Sequence, residues 1–450
     1  MWVLPCRPRM HSEPRDLPAH YLLLGAHCAK RLWLQRYAPG SAAPRLTAPA
    51  AGLALLARGL FPGGVEVASE DPVAATQALI AAGAPILYDA AFRFNGLLTS
   101  VEILVRRGNR WYAYQTKCRA SLKPAHLQEA ALQSYVLRGA GLTLTGSTLL
   151  YLNKGYVRQG PLDVAQLFLR VHVTKPVRGL QPAIATRVDT ARQLLEAAER
   201  PEAEQGTHCA KPHPCGFAAH CAAQAVPTGA LPDSTPLVDR PALNAFLSNL
   251  RYPLSFMDFE AYQPPVPEFD GHWPFRQVPF QYSLHRIGAA GAPLEHYSFL
   301  AEGAADPSGA FLESLLRDAG SEGSVLVYGT STEQVILSGL AADHPARRAP
   351  IEALKARIVD LSLPFHKKHV LLPALGERFS LKAVLPALVP GQGYDGLAIT
   401  DGGAAHLTFA HLRLERDPAR VARTRQDLLD YCTLDTLALV RILERLRELA

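Results

Sequence analysis

Two carboxylates lie two residues apart in the apolar stretch SFMDFEAY, which carries Asp258 and Glu260. The apolar and aromatic residues around them predict a β-strand. Side chains two apart in a strand point to the same face, so both carboxylates would face one side and Phe259 the other. Two carboxylates in an apolar strand are costly unless a cation neutralises them. Because hard oxygen ligands suit Mg²⁺ and Mn²⁺, the pair predicts a divalent-metal site.

Further acidic and hydroxyl groups occur on one face of a predicted helix and at the start of another. Tyr431 and Asp435 are four residues apart in LLDYCTLDTLALV. The apolar spacing there predicts a helix, and residues four apart share one helix face. Glu333 follows the apolar strand EGSVLVYG at the start of a predicted helix. Active sites of α/β proteins collect where a strand ends and a helix begins. The tyrosine hydroxyl could orient a water while Asp435 binds a metal.

The order of these motifs resembles that of the proofreading-type (DEDDy) exonucleases, which have an RNase H-like fold. The resemblance implies that four acids hold two Mg²⁺ or Mn²⁺ ions: Asp258, Glu260, Glu333 and Asp435. It also implies that Tyr431 orients the attacking water in an in-line phosphodiester hydrolysis, with the metals about 4 Å apart. Glu333 stands where that family usually has Asp, so we expect a reshaped site. Asp360, in RIVDLSLP, matches an acid that usually lies outside the metal ligands.

A cysteine cluster, THCAKPHPCGFAAHC, contributes Cys209, Cys215 and Cys221. In a reducing compartment such dense cysteines indicate a metal or cluster site rather than disulfides. With Cys28, in GAHCAKRLWL, the pattern resembles the iron–sulfur nucleases related to RecB and implies a [4Fe–4S] cluster that ties the ends of the domain together. Zinc is the alternative, with a histidine completing the site: His208, His213 or His220. Cys6 or Cys118 could also replace Cys28.

The same resemblance implies a PD-(D/E)xK nuclease core between these cysteines. The sequence predicts a β-hairpin with Glu102 on its first strand and Gln115 and Lys117 on its second. The following helix carries the counterparts of a Gln–Tyr motif of that family, Gln133 and Tyr135. Glu102 replaces an Asp, and Gln115 is neutral where the family has an acid. A missing carboxylate lowers the affinity for a divalent cation, so the sequence predicts a degenerate nuclease site.

The elements that position these residues belong to a chain of 450 residues, 48% of them hydrophobic and 19% charged, as is typical of a globular protein. Strands that alternate with helices predict α/β folds in both halves. Residues 222–239 are rich in Pro, Gly, Ser and Thr and predict a linker. We therefore expect a restriction-endonuclease-like domain with an iron–sulfur staple at 1–225, a linker at 226–247 and an RNase H-like domain at 248–450.

Nearly the whole chain, from Tyr21 to Leu449, resembles a bacterial family without an established function. That family fuses a RecB/CRISPR-type iron–sulfur PD-(D/E)xK nuclease-like domain to a DEDDy-type RNase H-like exonuclease domain. Further matching stretches are ARGLFPGGVEV and FSLKAVLPALVPGQGYDGLAITDGGAA. The segment Arg378–Ala405 carries no obvious chemistry, and its Pro and Gly residues predict ordered loops.

The combined expectation is a metal-dependent nuclease, a DNA exonuclease acting through the C-terminal acids, with the N-terminal iron–sulfur domain binding DNA. DNA is favoured over RNA, and the net charge of +6 permits such a partner. Three basic residues could contact phosphate: Lys117, Arg119 and Lys123. The alternatives are a non-catalytic nucleic-acid-binding scaffold and a nuclease acting through the N-terminal site.

Two further expectations concern partners and location. No GxxxxGK[ST] motif occurs, so any unwinding would come from a partner such as a helicase or another repair or defence protein. The sequence has no apolar run long enough to cross a membrane, and its first residues have no signal-peptide pattern. It therefore predicts a cytoplasmic protein without membrane contact.

Overall fold

The computed structural model describes residues 17–25, 27–41, 51–197, 199–209, 215–223, 235–303, 305–376 and 378–450. The chain divides into two compact units. One comprises the described residues from 17 to 223 together with Pro264–Phe275, and the other comprises the described residues from 235 to 263 together with those from 276 to 450. Both units are mixed α/β structures, as the sequence predicted.

A seven-stranded mixed sheet forms the centre of the first unit. Its strands are β1 (Leu17–Pro18), β2 (Val65–Glu66), β3 (Ile86–Phe94), β4 (Leu97–Arg107), β5 (Arg110–Lys117), β6 (Leu144–Leu152) and β7 (Phe168–His172). The described helices are α1 (Tyr21–Gly25), α2 (Ala29–Tyr37), α3 (Ala51–Arg58), α4 (Pro72–Ala81), α5 (Pro124–Gly139), α6 (Val164–Leu167), α7 (Thr174–Gly179), α8 (Gln181–Glu196) and α9 (Ala218–Ala222).

The strand order of this sheet is β2-β3-β4-β5-β6-β7, and β1 pairs in parallel with β4. β3, β4 and β5 are antiparallel, and α5 then leads to β6, which is parallel to β5. Successive residues of β4 enter different apolar clusters: Leu104 joins one, and Ile103 and Val105 join the other. Because side chains alternate along a strand, both faces of this sheet are covered.

The second unit has a five-stranded sheet and a two-stranded one. Its strands are β8 (Leu237–Val238), β9 (Leu254–Tyr262), β10 (Val278–Ile287), β11 (Leu294–Leu300), β12 (Ser324–Val327), β13 (Ile358–Asp360) and β14 (Val370–Leu371). The described helices are α10 (Arg240–Leu247), α11 (Ser308–Ala319), α12 (Ser331–Asp343), α13 (Arg348–Lys355), α14 (Leu363–His366), α15 (Leu381–Leu388), α16 (Gly402–Leu412) and α17 (Pro418–Leu449).

The order of the larger sheet is β11-β10-β9-β12-β13. β9, β10 and β11 form an antiparallel meander, and α11 then leads to β12, which is parallel to β9. Helices α12 and α13 connect β12 to its parallel neighbour β13. Met257 and Phe259 of β9 enter an apolar core with Phe311 and Leu315 of α11. The centre of the sheet is therefore β9, the strand that carries the paired acids.

Several elements follow the sequence prediction and two regions do not. The predicted hairpin is β4 and β5, and the helix predicted around Tyr431 and Asp435 is part of α17. The linker expected at 226–247 is wrong in its C-terminal part, because β8 and α10 occupy it; residues 224–234 lie outside the described part of the chain. The loops predicted for Arg378–Ala405 are also wrong in part, because the segment contains α15 and the start of α16.

Within the described residues, no helix has the length and apolar character needed to span a membrane.

We expect Gly323→Ala to destabilise the second unit by about 2 kcal/mol or more. Gly323 precedes β12 with φ +77°, and an added Cβ would lie 1.9 Å from the Pro253 carbonyl oxygen. The matched control is Gly339→Ala in α12, where a Cβ would meet nothing within 4 Å and should stabilise the helix by about 0.5–1 kcal/mol. Urea unfolding of the full chain measures both; equal midpoints would contradict the prediction.

Candidate functional site

The two acids of β9 face the same side of the central sheet, as the sequence predicted. In the ladder with β10, Asp258 pairs with Ser283 and Glu260 pairs with Gln281. Phe259, between them, points into the apolar core on the opposite side. Because side chains alternate along a strand, both carboxylates lie on one face, while the apolar neighbours on the other face keep the strand in the interior.

Helix α17 brings a third carboxylate to this face. Ligand atoms of Asp258, Glu260 and Asp435 all lie within 4.8 Å of one another. Among the described residues, this is the one group of three or more His, Cys, Asp or Glu side chains spaced to hold a metal ion. Glu260 and Asp435 are buried, and Asp258 is partly exposed.

Polar contacts between α17 and β10 fix the position of Asp435. The Gln281 amide donates to the Leu428 carbonyl oxygen at 2.7 Å, and the hydroxyls of Ser283 and Thr436 are 2.7 Å apart. All four residues are buried. Buried hydrogen bonds of this kind specify one arrangement, because shifting the helix would leave polar groups unpaired.

Glu333 lies in the first turn of α12, near the three carboxylates but outside their 4.8 Å group. β12 runs parallel to β9, so the helix that follows β12 begins beside Asp258. The charge of Glu333 contributes to the raised pKa of both Asp258 and Glu260. Only 4% of Glu333 is exposed, and its Oε2 is buried without a hydrogen-bond partner among the described residues. A buried carboxylate oxygen without a partner is costly, so this oxygen is suited to bind a cation or to accept a hydrogen bond.

Asp360 stabilises the turn that leads into α12. Its Oδ1 accepts hydrogen bonds from the backbone N–H groups of Gly329 and Ser362, both at 2.8 Å. Gly329 has φ +80°, a conformation that glycine adopts readily. Asp360 therefore supports the turn that positions Glu333 and is not one of the three closely spaced acids.

Polar side chains that were not expected from the sequence, Tyr394 and Lys382, also belong to this site. The Tyr394 hydroxyl donates to Asp435 Oδ1, and Tyr431 also lowers the pKa of Asp435. Lys382 Nζ donates to the Tyr431 hydroxyl oxygen at 3.0 Å and to the Thr400 carbonyl oxygen. The expectation that the segment Arg378–Ala405 carries no obvious chemistry is therefore wrong.

A signal for these residues was present but incomplete. Lys382 is the one charged residue of the otherwise apolar helix LKAVLPAL. No periodicity relates that lysine to acids of β9 more than a hundred residues earlier. The Cys432 thiol was missed as well and lies 3.8 Å from Asp258 Oδ2.

Burial and mutual repulsion raise the pKa values of the acids. Burial, and then the charge of Asp435, raise the pKa of Glu260 to about 8, against the opposing effect of Lys382. Burial raises the pKa of Glu333 to about 7. Burial and the charges of Asp435, Glu260 and Glu333 hold the pKa of Asp258 well above its ordinary value. With four acids and one ammonium group, the site suits a divalent cation.

The hairpin of the first unit holds its predicted residues in contacts within the protein. Glu102 Oε2 accepts from the Thr116 backbone N–H at 2.6 Å and from the Thr116 hydroxyl at 2.7 Å. Lys117 Nζ lies 2.5 Å from Glu129 Oε2 of α5, an acid that the sequence analysis missed. Gln115 Oε1 is buried without a hydrogen-bond partner among the described residues. The carboxylate nearest to Lys117 therefore comes from a helix and not from β5.

The Gln–Tyr pair of α5 connects that helix to the sheet. Gln133 donates to the Ser100 carbonyl oxygen at 2.7 Å, and the Tyr135 hydroxyl accepts from the Asn95 amide at 3.1 Å. Arg119 and Lys123 are exposed in the loop before α5. The contacts of Gln133 and Tyr135 are those of packing residues.

The four predicted cysteines line one cavity of the first unit, together with His27, Lys30 and His208. Burial raises the pKa of Cys221, and the thiols of Cys215, Cys209 and Cys28 raise it further while Lys30 opposes them. Among the described residues, no three of these sulfurs lie within 4.8 Å of one another. Four sulfurs at about 2.3 Å from one zinc ion would be roughly 3.8 Å apart. The four cysteines thus share a cavity but do not have the mutual spacing of the four ligands of a single zinc ion.

The alternative ligands occupy other positions. Cys118 packs at the edge of an apolar cluster and does not line this cavity. His208 lines it and His220 does not. Cys6 and His213 lie outside the described residues.

Residues 255–380 match a protein family described as a domain of unknown function, DUF2779. The match covers less than a third of the chain. It includes Asp258, Glu260, Glu333 and Asp360 and ends before Lys382. No curated protein matches the chain.

We expect Mn²⁺ to bind the second unit more tightly as the pH rises from 6 to 8.5, with release of protons. The pKa values of Glu260 and Glu333, about 8 and about 7, lie above those of the unfolded chain. The metal-free site therefore holds protons at neutral pH that the metal must displace. The same shift stabilises the metal-free fold at low pH, and this stabilisation is lost as the pH rises through 7 to 8.

Calorimetry in two buffers of different ionisation enthalpy measures the proton release. The matched control is Asp430→Asn, an exposed acid on the same helix, which should leave binding unchanged. Asp258→Asn should abolish binding. A Mn²⁺ affinity that does not depend on pH would contradict this prediction.

Proposed function

We propose that the second unit is a metal-dependent nuclease that hydrolyses phosphodiester bonds, acting as a DNA exonuclease. The observation that carries the proposal is the group formed by Asp258, Glu260 and Asp435, with the buried and unpartnered Oε2 of Glu333 beside it. Closely spaced carboxylates in an apolar setting are hard oxygen ligands for Mg²⁺ or Mn²⁺. Bound metal would activate water and stabilise the charge that develops on the phosphate oxygens.

Each side chain has a distinct task in this proposal. The three close carboxylates would hold a cation, and Glu333 would supply a further oxygen ligand at the site. Asp435 accepts a hydrogen bond from the Tyr394 phenol, and Tyr431 favours its ionised form. Tyr431 orients the attacking water, and its place on the same helix as Asp435 keeps the two groups in register.

The fold of the second unit supports the proposal. Three antiparallel strands, β9 to β11, continue into two parallel strands, β12 and β13, through helical connections. An RNase H-like fold accounts for this order. It also accounts for the acids on the first strand and on the last helix, α17.

For the first unit we propose a DNA-binding platform with a degenerate PD-(D/E)xK-type nuclease site and a restriction-endonuclease-like fold. The neutral Gln115 and the pairing of Lys117 with Glu129 support a site that does not hold a catalytic metal. The exposed Arg119 and Lys123 would contact phosphate groups. Unwinding of a duplex would come from a partner such as a helicase.

We further propose that Cys28, Cys209, Cys215 and Cys221 hold a [4Fe–4S] cluster. Four thiolates are the usual ligands of such a cluster, and each binds a different iron, so the sulfurs stand farther apart than around one zinc ion. The cavity that all four of these cysteines line supports this proposal. Bound there, the cluster would connect α2, at the start of the unit, to α9, at its end.

We expect the full chain to degrade end-labelled DNA with Mn²⁺ or Mg²⁺, and Asp258→Asn and Glu260→Gln to lower the rate at least about a thousandfold. Loss of a metal ligand removes several kcal/mol of transition-state stabilisation. Lys117→Met tests the first unit and should leave the rate unchanged. Asp430→Asn is the matched control in the second unit. Single- and double-stranded DNA and RNA are compared in the same assay.

Two outcomes would overturn this assignment. Activity that survives Asp258→Asn and disappears in Lys117→Met would place the chemistry in the first unit. Binding of nucleic acid without cleavage of any substrate by the wild type would favour a scaffold.

We expect the anaerobically purified protein to contain about four iron and four sulfide ions per chain. Cys221→Ser should lose most of the iron, because one of four ligands is removed. Cys118→Ser is the matched control, since Cys118 lies outside the cavity. Elemental analysis and acid-labile sulfide measure the cluster. One zinc ion per chain without iron would overturn the assignment in favour of zinc.

A further inference from the structure

We propose that Lys382 binds the scissile phosphate of the substrate and fixes the Tyr431 hydroxyl as a hydrogen-bond donor. The inference rests on the proposed nuclease function and adds to it a substrate-binding cation. Lys382 lies outside the family match at residues 255–380, and only the tertiary structure connects it to the carboxylates.

The ammonium group of Lys382 is held in one place by several contacts. It donates to the Tyr431 hydroxyl at 3.0 Å and to the Thr400 carbonyl oxygen. It also lies over two aromatic rings, 4.6 Å from the centroid of Tyr431 and 4.8 Å from that of Tyr394. An ordinary surface lysine keeps its ammonium group in water. The ammonium group of Lys382 instead contacts two aromatic rings and two hydrogen-bond acceptors, which fix its position.

Two of the three N–H groups of the Lys382 ammonium donate hydrogen bonds in the described part of the chain, and the third is available to a ligand. An ammonium group has three N–H donors and no acceptor. Within the described residues, its hydrogen-bond acceptors are two oxygens, those of Thr400 and Tyr431. The third N–H can therefore bind an oxygen of a ligand at the site, and lysine is a common binder of phosphate.

The hydrogen bond from Lys382 to Tyr431 also determines which way the Tyr431 hydroxyl donates. Because lysine can only donate, the Tyr431 oxygen accepts from Lys382, and its own hydrogen is directed to another group. Asp435 is an acceptor on the same face of α17, and Tyr431 favours its ionised form. When metal occupies Asp435, the hydroxyl can donate to the attacking water, so Lys382 prepares Tyr431 for its proposed role.

The charge of Lys382 should act in opposite directions on the binding of metal and of phosphate. This difference distinguishes a phosphate-binding role of Lys382 from a role in supporting the fold. Lys382 acts on Glu260 and Asp435 as a positive charge, and it favours their ionised forms. The same charge repels a divalent cation held by these acids. Above the pKa of these acids, where no proton competes, removing it should tighten the binding of metal, and it should weaken the binding of the phosphate. A residue that only supported the fold would weaken both when removed.

The experiment compares Lys382→Met, Lys382→Arg and the control Lys355→Met in the full chain. Lys355 is a half-buried lysine of the same unit that donates to Ser338 and Glu352, away from the site. Calorimetry measures Mn²⁺ affinity, and fluorescence anisotropy measures the affinity for a phosphorothioate oligonucleotide. Steady-state assays give kcat and KM.

For Lys382→Met we expect Mn²⁺ to bind about tenfold more tightly and the oligonucleotide about tenfold more weakly. The value of kcat/KM should fall about a hundredfold. Lys382→Arg keeps the charge, so it should recover the Mn²⁺ affinity of the wild type and part of the oligonucleotide affinity. Lys355→Met should resemble the wild type in all three measurements.

Two results would overturn the inference. Weaker binding of both Mn²⁺ and the oligonucleotide by Lys382→Met would assign Lys382 to the support of the fold. Equal cleavage by Lys382→Met and wild type would remove Lys382 from the reaction while leaving the nuclease proposal intact. Absence of cleavage by the wild type would instead defeat the nuclease proposal, and the two binding measurements would still report on Lys382.

Discussion

The repulsion among buried carboxylates is the constraint on which the second unit depends. Asp258, Glu260 and Asp435 bring ligand atoms within 4.8 Å of one another, and Glu333 adds a fourth negative charge. Taking such charges out of water costs several kcal/mol for each ion, and their proximity adds to that cost. The fold must therefore hold these groups together against their own electrostatics, with protons when the site is empty and with a cation in its proposed working state.

The elements around the acids supply this stabilisation. β9 is the central strand of the sheet, and its alternate residues fill an apolar core behind the acids. On the other side, α17 is held to β10 by a buried chain of hydroxyl, amide and imidazole groups that includes Thr436 and His285. Burial, and then the charge of His296, lower the pKa of His285 to about 4, so its imidazole stays neutral and adds no charge behind the site. The polar chain and the apolar core act together, because neither alone would fix Asp435 opposite Asp258.

The segment that contains α15 and α16 adds a positive charge and a hydrogen-bond donor to the acids of the site. It contributes Lys382 as the cation and Tyr394 as a phenol donor to Asp435. Gly402, the first residue of α16, lies close enough to Glu260 that an added Cβ would be 3.6 Å from both carboxylate oxygens. A helix N-terminus carries partial positive charge, which favours the ionised form of that acid. The carboxylates are thus surrounded by donors from a part of the chain remote in sequence.

The sequence by itself determined the local features: the β4–β5 hairpin, the shared face of Asp258 and Glu260 on β9, the first-turn position of Glu333 and the shared face of Tyr431 and Asp435. These features follow from the way side chains repeat, every two residues along a strand and every 3.6 residues along a helix. A short stretch of sequence is enough to show such a repeat. The tertiary structure alone decided that Lys382 and Tyr394 join those acids, that Glu129 pairs with Lys117, and that β8 and α10 occupy the predicted linker. Such contacts join residues that no local period relates, because they depend on how distant helices pack against the sheet.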